Sequence, residues 1–133
     1  MTSEAAIEAE IQAKGLNAPR LSPSQIDATI DSEHYFTALE GVDGHYRGGT
    51  EAQGVQNAQA LSLMTFCVLV LKNGFTVTGQ SACASPENYD AEIGRKVARE
   101  KAREKIWALE GYLLRQRLHD RNRADVAVEG LKP

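Results

Sequence analysis

Between Phe66 and Cys83 the apolar and polar positions follow the two-residue period of β-strands, and the pattern turns back on itself at Asn73-Gly74. Both turn residues accept the positive φ of a type I′ turn, which predicts a β-hairpin over 65–83. That turn pairs Lys72 with Phe75, Val70 with Val77, Val68 with Gly79 and Phe66 with Ser81. Paired residues share a face. One face then carries Phe66, Val68, Val70, Phe75 and Val77 and is expected to be core, while the other sets Cys67, Leu69 and Leu71 opposite Gln80, Thr78 and Thr76. The first strand is apolar on both sides and asks for cover on both, because a lone hairpin is not stable in water.

After the hairpin the period changes to that of a helix. Ser85-Pro86-Glu87 offers a cap, a proline at the first helical position and an acid in the first turn, and no proline follows until Pro133. The spacing predicts one helix over 86–118, roughly 50 Å long at ~1.5 Å per residue. Tyr89, Ile93, Val97, Trp107, Leu114 and Leu118 fall on one side, and Ala98, Ala102, Ile106, Leu109 and Leu113 nearly opposite. A helix apolar on two sides touches two partners: the hairpin, and either the N-terminal helices or the same helix of a second chain.

The N-terminal part, 1–39, reads as helical. Ser3 caps a helix over 4–14 that stops at Gly15, with a thin stripe of Ile7 and Ile11 that needs docking. Ser22-Pro23-Ser24-Gln25 has the form of a capping box, and Ile26, Ile30 and His34 follow at spacing four, so a second helix is expected to run to about Tyr35. The segment 40–58 holds Gly41, Gly44, Gly48, Gly49 and Gly54 and reads as a surface loop, since no phosphate-loop or dinucleotide-binding glycine pattern follows a strand there. Ala58 to Met64 reads as a helical turn or an extended lead-in, and 119–133 as a flexible tail outside a single domain of 1–118. The fold class is α+β: N-terminal helices, an antiparallel β-hairpin and a long C-terminal helix.

Composition adds limits. No apolar run approaches the ~20 residues of a membrane span, and the acidic N-terminus has no signal-peptide core, so no membrane association or export is expected. Cys67 and Cys83 read as reduced thiols, and His34, His45 and His119 are too scattered for a zinc site. Residues 1–43 are mostly acidic and 85–123 lean basic, at a formal net charge of -3. The interleaved acids favour internal charge matching over a nucleic-acid surface.

No nucleophile–base pair, metal motif or cofactor fingerprint stands out; no catalytic residue, metal or cofactor is assigned. The candidate ligand-binding residues lie where the hairpin meets the long helix: the free N–H groups of the helix start with Ser85 and Asn88, the cations Arg95 and Arg99 further along, and the polar row Thr76, Thr78 and Gln80.

The blocks Thr65-Phe66-Cys67-Val68-Leu69, Lys72 to Gly79, Ser81-Ala82-Cys83, Asn88 to Lys96, Lys105-Ile106-Trp107 and Glu110 to Leu114 carry a further signal. With them the chain resembles a family of small tailed-phage proteins named after gene products forty-nine of a coliphage and sixty-six of a Shigella phage. The match is strong over 60–118 and extends more loosely to Glu33–Ala38. The resemblance implies a phage origin and action in the host bacterial cytoplasm, and it supplies no catalytic residues. The expected function is therefore a non-enzymatic phage accessory protein acting by binding, directed at a host defence protein or its nucleotide signal, and a homo-oligomer through the long helix. One alternative is a nucleic-acid-associated protein using Arg95, Lys96, Arg99, Lys101, Arg103 and Lys105. Others are a structural or assembly component and a small enzyme.

Overall fold

The structure is a computed structural model and describes residues 3–47 and 54–130. In chain order it contains α1 (Ser3–Ala13), α2 (Pro23–Ala28), β1 (Ile30–Thr37), α3 (Ala38–Arg47), α4 (Ala58–Ser62), β2 (Met64–Leu71), β3 (Thr76–Ala82), a 3-10 turn (Pro86–Asn88) and α5 (Ala91–Gly130). The α+β class stands, with three strands in place of two, in the antiparallel order β1-β2-β3.

The chain divides into two compact units where one domain over 1–118 is expected. One is Thr29–Lys105, which holds the sheet and the first part of α5; the other gathers Met1–Ala28 with Ile106–Pro133. In the second unit the N-terminal segment has its own apolar partners: Ile7, Ile11, Leu21, Pro23 and Trp107 line a cleft of about 350 Å³. Arg20 grips Glu8 with two hydrogen bonds, of 2.8 and 2.9 Å, which ties the linker to α1. The Ser22 capping box is present in both directions. Gln25 Oε1 accepts the Ser22 N–H at 2.9 Å, and Ser22 Oγ accepts the Gln25 N–H at 3.3 Å.

The expected second helix ends at Ala28, and the chain enters β1. Ile26, Ile30 and His34 imitate a helical stripe, but the β-branched pair Thr29-Ile30 and the aromatic pair Tyr35-Phe36 favour extended backbone. A bulge between Ile30 and Ser32 then shifts the alternation by one residue, which hides the strand from a two-residue count. The expected loop over 40–58 is also corrected. Thr37 and Glu40 form a second capping box: Glu40 Oε1 accepts the Thr37 N–H at 3.0 Å and Thr37 Oγ1 accepts the Glu40 N–H at 3.1 Å. That cap launches α3 through Gly41 and Gly44; residues 48–53 lie outside the described residues, and Ala58–Ser62 is a helical turn.

The hairpin forms where expected, one residue out of the expected register. Leu71 N–H bonds to Phe75 O and Gly74 N–H to Leu71 O, each at 2.8 Å. The connection is therefore the three residues Lys72-Asn73-Gly74, with Gly74 alone at positive φ (87°) and the Asn73 side chain accepting the Phe75 N–H at 3.0 Å. A type I turn closed by a left-handed glycine uses the same Asn-Gly pair as a type I′ turn. The observed partners are Val70↔Thr76, Leu69↔Val77, Val68↔Thr78, Cys67↔Gly79 and Phe66↔Gln80. A slip of one residue exchanges the faces. The core row is Thr65, Cys67, Leu69, Leu71 and Val77, all buried, while Phe75 is exposed.

The reason for the exchange is α5. A Cβ on Gly79 would collide with the Ala98 carbonyl oxygen and the Ala102 amide nitrogen, so helix backbone lies directly on strand backbone there. Ala98, Ala102 and Ile106 are fully buried, and Leu69 and Cys67 with them. Burial of a side chain the size of Leu69 contributes about 2 kcal/mol. The α5 cap is Asp90, not Ser85: Asp90 Oδ1 accepts the Ile93 N–H at 2.9 Å, while Ser85-Pro86 only opens the 3-10 turn. At its far end α5 continues through 119–130, where a flexible tail is expected; no proline or glycine intervenes before Gly130, and Gln116 bonds to Asp120 one turn on at 3.0 Å.

Gly79→Ala is expected to lower stability by about 3 kcal/mol or more, since neither backbone can yield without unseating the helix. Urea unfolding followed by circular dichroism measures it, and a change under about 1 kcal/mol would contradict the seating.

Candidate functional site

The site is built within the unit Thr29–Lys105. Tyr35, Phe36 and Thr37 of β1, Glu40 of α3, Thr65 of β2, Tyr89, and Ala91 and Arg95 of α5 line a cleft of about 340 Å³. That size suits a small ligand. Thr65 is 3% exposed, and among the described residues its hydroxyl has no hydrogen-bond partner. Across the sheet its register partner Ser81 is satisfied, donating to the Gly94 carbonyl at 2.9 Å. A Cβ on Gly94 would stand 3.0 Å from the Thr65 hydroxyl, so the glycine lets α5 close over that group. Arg95 is exposed and makes no hydrogen bond or ion pair among the described residues.

One turn further along α5, Arg99 meets Glu33 of β1, Nε to Oε1 at 2.8 Å, and Tyr35 donates its hydroxyl to the same Oε1 at 2.7 Å. Glu33 is on the row of β1 that faces the helix, as the partner of Leu69. The bond from Arg99 holds its carboxyl below the usual glutamate value, and the bond from Tyr35 acts in the same sense. Burial, followed by the bond to Glu33, pushes the Tyr35 phenol up; burial likewise raises the Cys67 thiol. This cluster fixes Tyr35, which is one wall of the cleft.

The residues singled out from sequence are dispersed. Arg95 lines the cleft and Arg99 is committed to Glu33. Thr76, Thr78 and Gln80 are exposed and alternate with the helix-facing Val77 and Gly79, so the register places them on the face turned away from α5. Ser85 donates to Glu87 at 2.7 Å, and Asn88 borders a separate cleft of about 200 Å³ with Ser81, Cys83, Ile93 and Val97. Of the basic residues of α5 named from sequence, Arg103 is 7% exposed, Arg99 is held by Glu33 and Lys96 pairs with Glu92 at 3.2 Å, while Arg95, Lys101 and Lys105 are exposed. Among the described residues no His, Cys, Asp and Glu side chains cluster in a way that could hold a metal ion.

Sequence reasoning missed Thr65, Tyr35 and Glu40 as site residues. The signal for Thr65 is present in the chain: it is the polar member of the row Thr65, Cys67, Leu69, Leu71. For Glu40 the signal is the Thr37-x-x-Glu40 box.

The fold is thus an antiparallel sheet with one long helix across a face, and a small cleft at the helix start. The chain belongs to the phage protein (N4 Gp49/phage Sf6 gene 66) family, whose model matches residues 21–118. That span takes in the whole sheet and the whole lining of the cleft. No curated protein and no solved structure matches the chain. No helix among the described residues is long and apolar enough to cross a membrane.

Two outcomes test this geometry. Thr65→Val removes an unsatisfied buried hydroxyl at nearly constant shape and is expected to raise the stability of the ligand-free protein by about 1 kcal/mol, read from the urea midpoint. Glu33→Gln is expected to cost about 1 kcal/mol at neutral pH, discounted for the partial exposure of the pair. Because the folded value of Glu33 is depressed, its contribution is present above the ordinary value of 4.5 and lost as pH falls below it and through the folded value. The stability difference between wild type and variant should close in acid; a difference independent of pH would contradict the pairing.

Proposed function

We propose that this phage protein is a non-enzymatic accessory protein that binds a small ligand in the cleft at the start of α5. On this reading it works in the host bacterial cytoplasm and counters a host defence protein or sequesters its nucleotide signal. The observation that carries the binding reading is the cleft of about 340 Å³, whose lining sets the rings of Tyr35, Phe36 and Tyr89 beside the uncommitted Arg95. An arginine side chain with no partner suits an anionic group bidentately, and aromatic rings beside it offer apolar surface to the rest of a ligand.

Self-association through α5 belongs to the same reading. Ile93 is 60% exposed, Tyr112 is 75% exposed, and Val97, Leu109 and Leu113 are exposed as well. A second copy is the proposed cover.

Mass spectrometry of the protein purified from infected cells, native and then denatured, tests both parts. We expect a multiple of the chain mass and a small molecule released on denaturation, with the molecule missing from the Arg95→Ala protein. Returned to fresh protein, that molecule should be recovered unchanged; its conversion would establish an enzyme. Recovery of the protein only with phage particles would establish an assembly component instead.

A further inference from the structure

We infer that the second copy covering α5 docks antiparallel to it along one stripe of the helix, with Glu104 of each chain set against Arg115 of the other. This rests on the self-association reading above and names the surface and the direction of docking. It is carried by the order of size and charge along the helix.

α5 is one unbroken helix over Ala91–Gly130. At about 100° per residue, Val97, Glu104, Ala108, Tyr112, Arg115 and Val126 fall on one stripe, and all of them are exposed. The buried row of Ala98, Ala102 and Ile106 lies on another side of the helix. Neither Glu104 nor Arg115 makes a hydrogen bond or ion pair among the described residues. Along the stripe an acid is followed by a small residue, a large ring and a base, with a valine at either end.

That order is self-complementary when it is reversed. A twofold contact sets residue i against j and j against i. With Tyr112 placed over the partner's Ala108, a ring meets a methyl group, and the same contact occurs twice. Glu104 stands four residues before Ala108, and Arg115 three residues after Tyr112. The same placement therefore brings Glu104 beside the partner's Arg115, again twice. Further out, Val97 arrives near the partner's Val126. Lys101 and His119 also lie on the stripe and fall opposite one another. A parallel pair would set Glu104 against Glu104 and Arg115 against Arg115, and like charges across a contact disfavour it. A partner of one charge sign, such as a nucleic acid, would oppose either Glu104 or Arg115.

The test is sedimentation equilibrium of the full chain over a range of concentrations. The proteins are wild type, Glu104→Arg, Arg115→Glu, the double swap, an equimolar mixture of the two single swaps, and Arg117→Glu as a control. Arg117 is exposed two residues from Arg115 on another side of α5, so the control makes the same change of charge off the stripe. Wild type should associate. Each single swap puts like charges together twice in the contact and should weaken association about tenfold or more. The double swap and the mixture both restore opposite charges and should return association to within about threefold of wild type, as should the control. Recovery in the mixture rules out misfolding as the cause of the loss. If either single swap associates as wild type does, or if the double swap and the mixture stay weak, this docking is overturned. The self-association reading survives that result through another face as long as wild type associates. If wild type is a monomer at every concentration, both fall.

Discussion

The contact of α5 with β3 at Gly79 is the constraint from which the rest of the sheet unit follows. Backbone meets backbone there, with Ala98 and Ala102 on the helix side and no side chain between. A helix seated that closely must present small residues at each turn along the seat, and it does so with Gly94, Ala98 and Ala102. It also decides which face of the hairpin is dry. Cys67, Leu69, Leu71 and Val77 are covered, and Val68, Val70, Thr76 and Thr78 are left on the other face. The closeness has an electrostatic consequence at the β1 edge. Glu33 sits on a row that faces the helix, and a carboxylate there is tolerable because Arg99 comes down from α5 to meet it.

The cleft lies near one end of that seat. Thr65 and Ser81 are register partners pointing at the same turn of α5, and their fates differ. Ser81 finds the Gly94 carbonyl and Thr65 finds nothing among the described residues. Elsewhere in the unit α3 and α5 are capped by Thr37 and Asp90, the apolar row is buried, and the edge carboxylate is paired, while Asn57 opens α4 at positive φ without a side-chain cap bond. A single unsatisfied hydroxyl in such a setting is where a fold gives up stability, and such places are commonly where ligands act. The lining of the cleft draws on β1, α3, β2 and α5, so its shape depends on the helix being seated.

Membership of a phage family sets the context, and the cleft supplies the chemistry on which a function is proposed. The basic residues of α5 add little to a nucleic-acid reading once placed. Arg99 is occupied, Arg103 is buried, and Lys96 pairs within its own helix. Arg95, Lys101 and Lys105 remain exposed, and of these Arg95 lines the cleft. An arginine with no partner among the described residues, four residues from one that is tightly paired, marks the difference between a cation that holds the fold and one that can meet a ligand.

What the chain determined by itself was what neighbours in sequence decide. Asn73-Gly74 located a turn, Ser22-Pro23-Ser24-Gln25 a helix start, and the proline-free run after Pro86 a long helix, because capping and turn preferences act over a few residues. The choice of face belonged to the tertiary structure. Asn-Gly serves a two-residue and a three-residue connection equally well, and β2 is apolar on both sides, so nothing local separated two registers that bury opposite rows. The helix that separates them lies about twenty residues further along and acts only once it is seated on Gly79. For the same reason β1 passed for helix: its bulge breaks the alternation, and its inward Glu33 reads as solvent-facing until Arg99 is brought beside it. The cleft was the least visible of all, since four elements far apart in sequence meet only in the folded unit to make it.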